Sequence, residues 1–248
     1  MICAVTHEFT RTATAGRWLQ VARGVFARRY AELDQTLGLI IGERRCLVVD
    51  TGRDEVHGAE LATAIRELTD LPWTVVITHA HFDHFFGTAA FLPCRVLAHA
   101  RCREVIESDA EPQRAEWVRR YNEQDKPEFA TRLAEARVFA PDDLFTERIE
   151  LDLGGRTAVV LHPGRGHTDH DVIVHVPDAG VLFAGDLVEQ GAPPAVGPDA
   201  HLLDWPKALD TVLVLRPDRI VPGHGEPVDR AFVAAQRAEL GALGGTRA

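Results

Sequence analysis

The chain has 248 residues, of which 46% are hydrophobic and 26% are charged, so it is long enough and apolar enough to bury a sizeable core. Its formal net charge is −10 and it has no dense stripe of lysine and arginine, which argues against a nucleic-acid partner. No run of about 18 apolar residues occurs, so the sequence predicts no membrane partner either.

The first half of the chain predicts strands followed by helices. A loosely alternating stretch at 18–30 and the segments TLGLII (36–41) and CLVVD (46–50) predict a β-meander. Apolar residues at helical spacing predict a helix within 54–70, and buried strands are predicted for WTVVIT (73–78) and CRVLAH (94–99). Residues from about 101 onward are helical in type, which predicts a helical insertion at about 103–137.

The second half returns to strands and ends in helices. Strands are predicted for ERIELDL (147–153), RTAVVLH (156–162), DVIVHV (171–176), VLFAGD (181–186) and DRIVPGH (218–224), and helices for 205–215 and within 230–240. Strands mixed with helices on both faces indicate a layered α/β fold. Because no linker divides the chain, we expect a single domain over residues 1–248.

The cysteines and the first residues bear on the location of the protein. Cys3, Cys46, Cys94 and Cys102 are scattered and form no C-x-x-C pair, a pattern typical of buried thiols in a reducing compartment. The first sixteen residues, MICAVTHEFTRTATAG, lack the uninterrupted apolar stretch of a secretory signal. We therefore expect a cytoplasmic protein.

Four apolar runs share one feature, because each ends in a metal-capable side chain close to a glycine. The runs are WTVVITHAHFDHFFG (73–87), RTAVVLHPGRGH (156–167), GVLFAGD (180–186) and DRIVPGH (218–224). In α/β proteins the loops that follow buried strands gather functional groups around one crevice. We therefore expect the ends of these runs to meet at one site.

The spacing within the first run is chemically informative. His79 and His81 are two positions apart, so in an extended segment both imidazoles point the same way. Asp83 and His84 follow where the chain turns and can face a neighbouring position. Histidine nitrogen and carboxylate oxygen, without a thiolate, suit zinc, iron or manganese. With the later runs, the candidates that could complete two metal sites are His79, His81, Asp83, His84, His167, Asp186 and His224.

The ordered motifs resemble those of the metallo-β-lactamase superfamily in its dinuclear form. The string HAHFDH (79–84) is followed by GHT (166–168), GD (185–186) and GHG (223–225), and LVVDTG (47–52) is similar to the first motif of the family. The resemblance covers nearly the whole chain. It implies an αββα sandwich of two mixed β-sheets flanked by helices, with the site at one edge of the sheets.

The resemblance also implies a role for each matching residue. The first metal would be held by His79, His81 and His167, the second by Asp83, His84 and His224, and both by a bridging Asp186. Asp50 would support the metal loop through hydrogen bonds without being a ligand.

As an expectation from this resemblance, the protein is a metal-dependent hydrolase. It would cleave an ester, thioester, lactone or amide bond of a small molecule by attack of a metal-bridging hydroxide. The expected cofactors are two divalent ions, zinc ahead of iron or manganese, and Asp83 would also carry a proton towards the leaving group. The alternative is a sulfur dioxygenase with one iron bound by His79, His81 and His167. A non-catalytic metal-binding module would need a missing ligand or a blocked pocket.

Within the superfamily, lactonase-like or generic hydrolases fit the sequence best. Antibiotic-destroying members often carry cysteine or serine in place of Asp186, and thioesterases of the glyoxalase II type have a C-terminal helical domain that is not recognised here. The substrate and the oligomeric state are not predicted by the sequence.

Several further residues are assigned more loosely. Trp117, Tyr121 and Phe129 are expected to be core residues of a helix pair, with a lid over the substrate as the alternative. His170 is the non-ligand histidine best placed to line a pocket, and the loop EQGAPPAVGPDAH (189–201) is a candidate pocket wall.

Overall fold

The computed structural model describes residues 16–247, which form two β-sheets with helices on both outer faces. The first sheet has the order β1-β2-β3-β4-β5-β6-β7, and the second has the order β12-β11-β10-β9-β8. Pairing is antiparallel from β1 to β4 and parallel from β4 to β7. In the second sheet only β11 and β12 are parallel. Both sheets are therefore mixed.

The strands of the first sheet are β1 (Arg17–Ala22), β2 (Val25–Arg29), β3 (Thr36–Ile41), β4 (Cys46–Val49), β5 (Trp73–Val76), β6 (Arg95–His99) and β7 (Asp143–Phe145). Those of the second are β8 (Arg148–Asp152), β9 (Thr157–Leu161), β10 (Ile173–Val176), β11 (Val181–Glu189) and β12 (Arg219–His224). The helices are α1 (Glu55–Arg66), α2 (Phe82–Phe85), α3 (Ala100–Glu123), α4 (Pro127–Glu135), α5 (Trp205–Val214) and α6 (Arg230–Arg247).

Three apolar clusters separate four layers. Side chains that alternate along each strand divide between the clusters, so that Val49 faces the second sheet while Val48 faces the helices. The cluster between the sheets joins Val49 to Phe183. A second cluster covers the first sheet with α1, α3 and α4, and a third covers the second sheet with α5 and α6. This αββα arrangement confirms the fold class expected from the sequence.

The structure differs from the sequence-based elements in three places. The strand β7 was not predicted, because three residues are too few to show a period of two. The helix α3 runs continuously through Pro112, although a proline inside a helix ordinarily interrupts it, and α6 extends beyond the predicted range to Arg247. Residues 1–15, including Cys3, lie outside the described residues, and Cys46, Cys94 and Cys102 are free thiols. Among residues 16–247, no helix has the length and apolar composition needed to cross a bilayer.

The topology brings the predicted site loops to one edge of the sandwich. Parallel strands end at the same edge, so the segments that follow β4 and β5 are neighbours, as are the ends of β11 and β12. The loop between β9 and β10 joins them, because the Val172 amide donates to the Thr78 carbonyl, at 2.9 Å.

A close approach of two backbones fixes the loop after β4 against the segment after β5. The Gly87 amide donates to the Gly52 carbonyl, and the Thr51 amide donates to the His84 carbonyl, each at 2.9 Å. On α1, a Cβ at Gly58 would lie 2.3 Å from the Gly87 carbonyl oxygen. Glycine is therefore required at position 58 by packing, although its backbone is helical.

We expect Gly58→Ala to lower the free energy of unfolding by about 1–3 kcal/mol, because the added methyl must push two backbones apart. Alanine normally stabilises a helix interior by about 1 kcal/mol relative to glycine. The matched control is Gly241→Ala in α6, where the nearest atom is 4.0 Å from the added Cβ and a gain of about 0.5–1 kcal/mol is expected. Urea denaturation measures the free energy of unfolding of both variants. An equal gain in stability in the two variants would contradict the close approach of the backbones at Gly58.

Candidate metal centre

The first group of metal-capable atoms comes from three segments of the chain. His79 and His81 lie between β5 and α2, His167 lies between β9 and β10, and Asp186 lies in β11. The His81 Nδ1 atom is 3.1 Å from His79 Nε2 and 2.8 Å from His167 Nε2. Asp186 Oδ2 is 3.6 Å from the Nε2 atoms of both His79 and His167. Tetrahedral ligands of one zinc ion lie about 3.3 Å apart, so these separations suit a single ion.

The second group lies beside the first. The short helix α2 places Asp83 and His84 next to His224, which ends β12. Asp83 Oδ2 is 3.3 Å from His224 Nε2 and 3.7 Å from His84 Nε2. All three side chains point their donor atoms at a common position within reach of Asp186.

The Asp186 carboxylate is shared by the two groups. Besides its contacts with the first group, its Oδ2 atom is 3.3 Å from His224 Nε2, and its Oδ1 atom is 3.3 Å from His84 Nε2. A Cβ at Gly223 would lie 1.9 Å from Asp186 Oδ1. The glycine before His224 is therefore needed to leave room for this carboxylate.

Each of the five histidines in the two groups has one ring nitrogen directed towards the other ligand atoms and one directed away from them. The nitrogen directed away contacts an oxygen atom. The pairs are His79 Nδ1 with Thr78 Oγ1 (3.0 Å), His81 Nε2 with Asp199 Oδ2 (2.9 Å), His84 Nδ1 with Asp50 Oδ2 (2.8 Å), His167 Nδ1 with the Ala195 carbonyl (3.1 Å) and His224 Nδ1 with the Leu33 carbonyl (2.7 Å). A carbonyl or carboxylate oxygen can only accept a hydrogen bond, so the ring nitrogen that contacts it, here called the outer nitrogen, carries the proton. The inner nitrogen then offers its lone pair to a metal.

Asp50 lies outside both groups and holds the metal loop in place. Its Oδ1 atom accepts from the Thr78 amide and its Oδ2 atom accepts from the Thr78 hydroxyl, both at 2.7 Å. The same Oδ2 atom accepts from His84 Nδ1. Because the Thr78 hydroxyl donates to Asp50, its oxygen is free to accept from His79 Nδ1.

The buried atoms of the centre fit bound cations. His84 Nε2 and Asp186 Oδ1 are buried and 3.3 Å apart, yet neither makes a hydrogen bond. Buried polar atoms are normally partnered, and a cation beside this nitrogen and this oxygen would satisfy both. With imidazole and carboxylate ligands only, the donor set suits a borderline divalent ion such as zinc.

The pKa shifts of the histidines in the centre also fit bound cations. Burial lowers the pKa of His79 well below its usual value and that of His167 to about 4, so both are neutral ligands. Burial also disfavours a charged His84, but Asp186, Asp83 and Asp50 outweigh it and raise the pKa of His84 well above its usual value. The carboxylates therefore attract positive charge, which a bound divalent ion would supply in place of the proton.

A sequence model of the Metallo-beta-lactamase superfamily matches residues 32–224, which include all seven metal-capable residues. The chain belongs to this superfamily. The resemblance seen in the sequence motifs is thereby confirmed.

Curated relatives within the superfamily are distant in sequence. A beta-lactamase-like protein 2 homolog of Drosophila melanogaster is 28% identical over 76% of this chain and 57% of its own length, so the match spans little more than half of that protein. A metallo-beta-lactamase type 2 of Bacillus cereus is 25% identical over 87% of this chain and 76% of its own. The human acyl-coenzyme A thioesterase MBLAC2 is 25% identical over 75% of this chain and 71% of its own.

Solved structures show the same fold. A metallo-beta-lactamase from Pontibacter korlensis superimposes with a TM-score of 0.69 at 22% identity, covering 91% of this chain and 98% of its own. The superfamily fold is thus shared over nearly the whole of both chains.

The superfamily site of this chain opens into a cavity of about 910 Å³. The cavity is lined by a face of α3, by Leu33 and by the loop residues 195 and 197–201. Gln113 of α3 donates to the Ala80 carbonyl at 2.8 Å, which fastens α3 to the segment between His79 and His81. The loop expected to form a pocket wall does line this cavity.

Other residues singled out in the sequence divide between cavity and core. His170 lines the cavity, where its Nε2 atom accepts from the Ala80 amide at 3.1 Å. Tyr121 is buried and Phe129 packs against the same cluster, whereas Trp117 both packs against that cluster and lines the cavity. Asp199 was not singled out, because nothing in its local sequence distinguishes it from other surface acids.

A strained turn supports His224. Leu33 and Asp34 have left-handed backbone conformations, with φ values of 60° and 51°, which cost roughly 1–2 kcal/mol for each non-glycine residue. This turn directs the Leu33 carbonyl at His224 Nδ1 and the Leu33 side chain into the cavity.

The buried Arg29 side chain holds this turn. Its Nη1 atom donates to the Asp34 carbonyl and to the Thr36 hydroxyl, both at 2.6 Å, and its guanidinium also pairs with the Asp34 carboxylate. Thr36 donates in turn to the carbonyl of Gly225, which follows His224, at 2.7 Å. Arg29 therefore ties the strained turn to the end of β12.

We expect His81→Ala to lose both the metal bound at the first group and turnover, because His81 Nδ1 contacts two other members of that group. Elemental analysis and initial rates measure the two effects. The control is His175→Ala, which removes a buried histidine of β10 outside the centre and should keep both properties. Full turnover by the His81 variant would contradict the assignment.

We expect Arg29→Ala to weaken metal binding at the second group by about 10- to 100-fold, with the first group unchanged, because the carbonyl that orients His224 loses its support. A cobalt(II) titration followed by visible absorbance measures the binding of the first and of the second metal equivalent separately. Arg28→Ala is a matched control, since Arg28 is the adjacent and equally buried arginine but pairs with Glu60 away from the centre. Equal weakening in both variants would contradict a specific role for Arg29.

Proposed function

We propose that this protein is a dinuclear metallohydrolase that cleaves an ester, thioester, lactone or amide bond of a small molecule. The observation that carries the proposal is the sharing of Asp186 by two groups of buried ligand atoms. A carboxylate placed in this way can hold two ions close together, as two-metal hydrolytic sites require. Zinc is the preferred ion for this set of nitrogen and oxygen atoms.

The two ions, when bound, supply a water of lowered pKa and polarise the substrate carbonyl. The chain itself supplies ligand orientation through Asp50, Asp199 and three outer oxygen atoms from Thr78, Ala195 and Leu33. These contacts fix the direction of every imidazole before substrate arrives, which is the preorganisation that catalysis needs.

Asp83 is proposed to hold the second metal and to carry a proton to the leaving group. Gln35 fixes its position, because Gln35 Nε2 donates to the Asp83 carbonyl and lies 3.4 Å from Asp83 Oδ2. Asp83 also lines the cavity. A carboxylate that faces the substrate and is held rigidly is suited to proton transfer.

Among the candidate bonds, we place thioesters and esters first. The name of the human relative, an acyl-coenzyme A thioesterase, supports this order.

The alternative is a sulfur dioxygenase that uses one iron at the first group. This reaction would leave the second group without a function, although its three side chains converge and His84 Nε2 is buried without a hydrogen bond. The geometry therefore favours two ions.

Elemental analysis of the purified protein, paired with a panel of thioester, ester, lactone and β-lactam substrates, tests the proposal. We expect about two zinc ions per chain and hydrolysis of thioesters or esters, with activity lost on chelation and restored by zinc. One iron per chain with oxygen uptake on a persulfide substrate would replace the proposal by the dioxygenase. If β-lactams were the only substrates of the panel to be hydrolysed strongly, the ranking that places thioesters and esters first would be wrong.

A further inference from the structure

We propose that the face of α3 that lines the cavity binds an apolar acyl group of the substrate, and that Trp117 determines this specificity. The proposal rests on the function proposed above and names the substrate class of the same site. We define the acyl wall as Leu33, Phe82, Val105 and Trp117, all of which line the cavity.

The acyl wall begins at the metal centre. Phe82 lies between His81 and Asp83 in the chain, and its ring stacks on that of Trp117 with centroids 4.2 Å apart and planes 26° apart. Phe82 is buried, whereas Trp117 is only partly buried. The Trp117 ring therefore continues a surface that starts beside the ligands and faces the cavity.

Two members of the acyl wall, Val105 and Trp117, belong to the face of α3 that lines the cavity. Apart from the adjacent pair Ser108 and Asp109, the cavity-lining residues of this helix recur at intervals of three or four positions, which places them on one face. They are Arg101, Val105, Ser108, Asp109, Gln113, Trp117 and Arg120. Because Gln113 is bonded to the Ala80 carbonyl, this face is held at a fixed distance from the metal loop.

The charged side chains of the cavity already have protein partners. Arg101 pairs with Glu104 and Asp169, and Arg120 pairs with Glu116. Asp109 accepts from Gln113, and Asp199 pairs with His81. A charged substrate group would therefore compete with these partners for the same side chains.

An apolar group, in contrast, gains by covering the surfaces of Leu33, Val105 and Trp117. The leaving group of a biological thioester is polar, so the acyl group is the occupant that fits this surface.

The experiment compares thioesters that differ only in the acyl group, from S-acetyl- to S-decanoyl-N-acetylcysteamine, with the zinc-loaded protein. We expect kcat/KM to rise by about fourfold for each methylene group that the wall buries. In Trp117→Ala this slope should flatten, because the decanoyl substrate loses more of its kcat/KM than the acetyl substrate does. Trp117→Phe should retain most of the slope, because a ring still stacks on Phe82.

Two further variants separate specificity from folding. Val118→Ala changes the next residue of α3, which packs against the core cluster, and should keep the slope. Val105→Thr keeps the side-chain shape but replaces one methyl group of the wall by a hydroxyl, and should lower the ratio of decanoyl to acetyl rates by about fivefold. Equal loss on all acyl lengths in the Trp117 and Val105 variants, or an unchanged slope, would overturn the proposal.

Binding of decanoate to the zinc-loaded protein, measured by calorimetry, distinguishes failure of this proposal from failure of the proposed function. Thioester hydrolysis without any preference for acyl length would overturn the acyl wall and leave the hydrolase intact. If no thioester, ester, lactone or β-lactam of the panel is hydrolysed, but decanoate binds to the wild type and at least tenfold more weakly to Trp117→Ala, the wall is supported and the hydrolase fails.

Discussion

The Asp186 carboxylate, buried among four histidines, is the interaction on which the rest of the structure depends. Its two oxygen atoms contact nitrogen atoms from both groups, and a second carboxylate, Asp83, lies beside it. Buried negative charge is costly unless positive charge lies close to it. Protons on His84 and His224 meet this need in the protein alone, and divalent ions would meet it in the loaded protein.

This requirement explains why the centre is tied so firmly to the fold. Each imidazole is oriented by an oxygen atom of another residue, and two of these oxygen atoms, from Ala195 and Asp199, belong to the loop that lines the cavity. The position of the metals and the shape of the substrate pocket are therefore coupled through this loop. A substitution in the loop is expected to change metal ligation as well as substrate choice.

The fold is shared with proteins at about one-fifth identity, but the wall of the cavity depends on the side chains of this chain. The helix α3 places an aromatic stack against the metal loop and neutralises its own arginines with nearby acids. The metal-capable residues follow strand ends, whereas the acyl wall takes Val105 and Trp117 from one face of α3. The residues for the chemistry and those for the proposed specificity therefore come mainly from different elements.

The sequence by itself determined the layered α/β class and the seven metal-capable residues, because hydrophobic period and strand-end motifs are local properties. The tertiary structure alone decided which groups orient those residues. Leu33 and Ala195 act through backbone carbonyls, which leave no mark in a side-chain pattern, and Asp199 reaches His81 across 118 positions of sequence. Trp117 could be assigned to the cavity only once the packing of α3 against the metal loop was known, because a helical period identifies a face but not what that face meets.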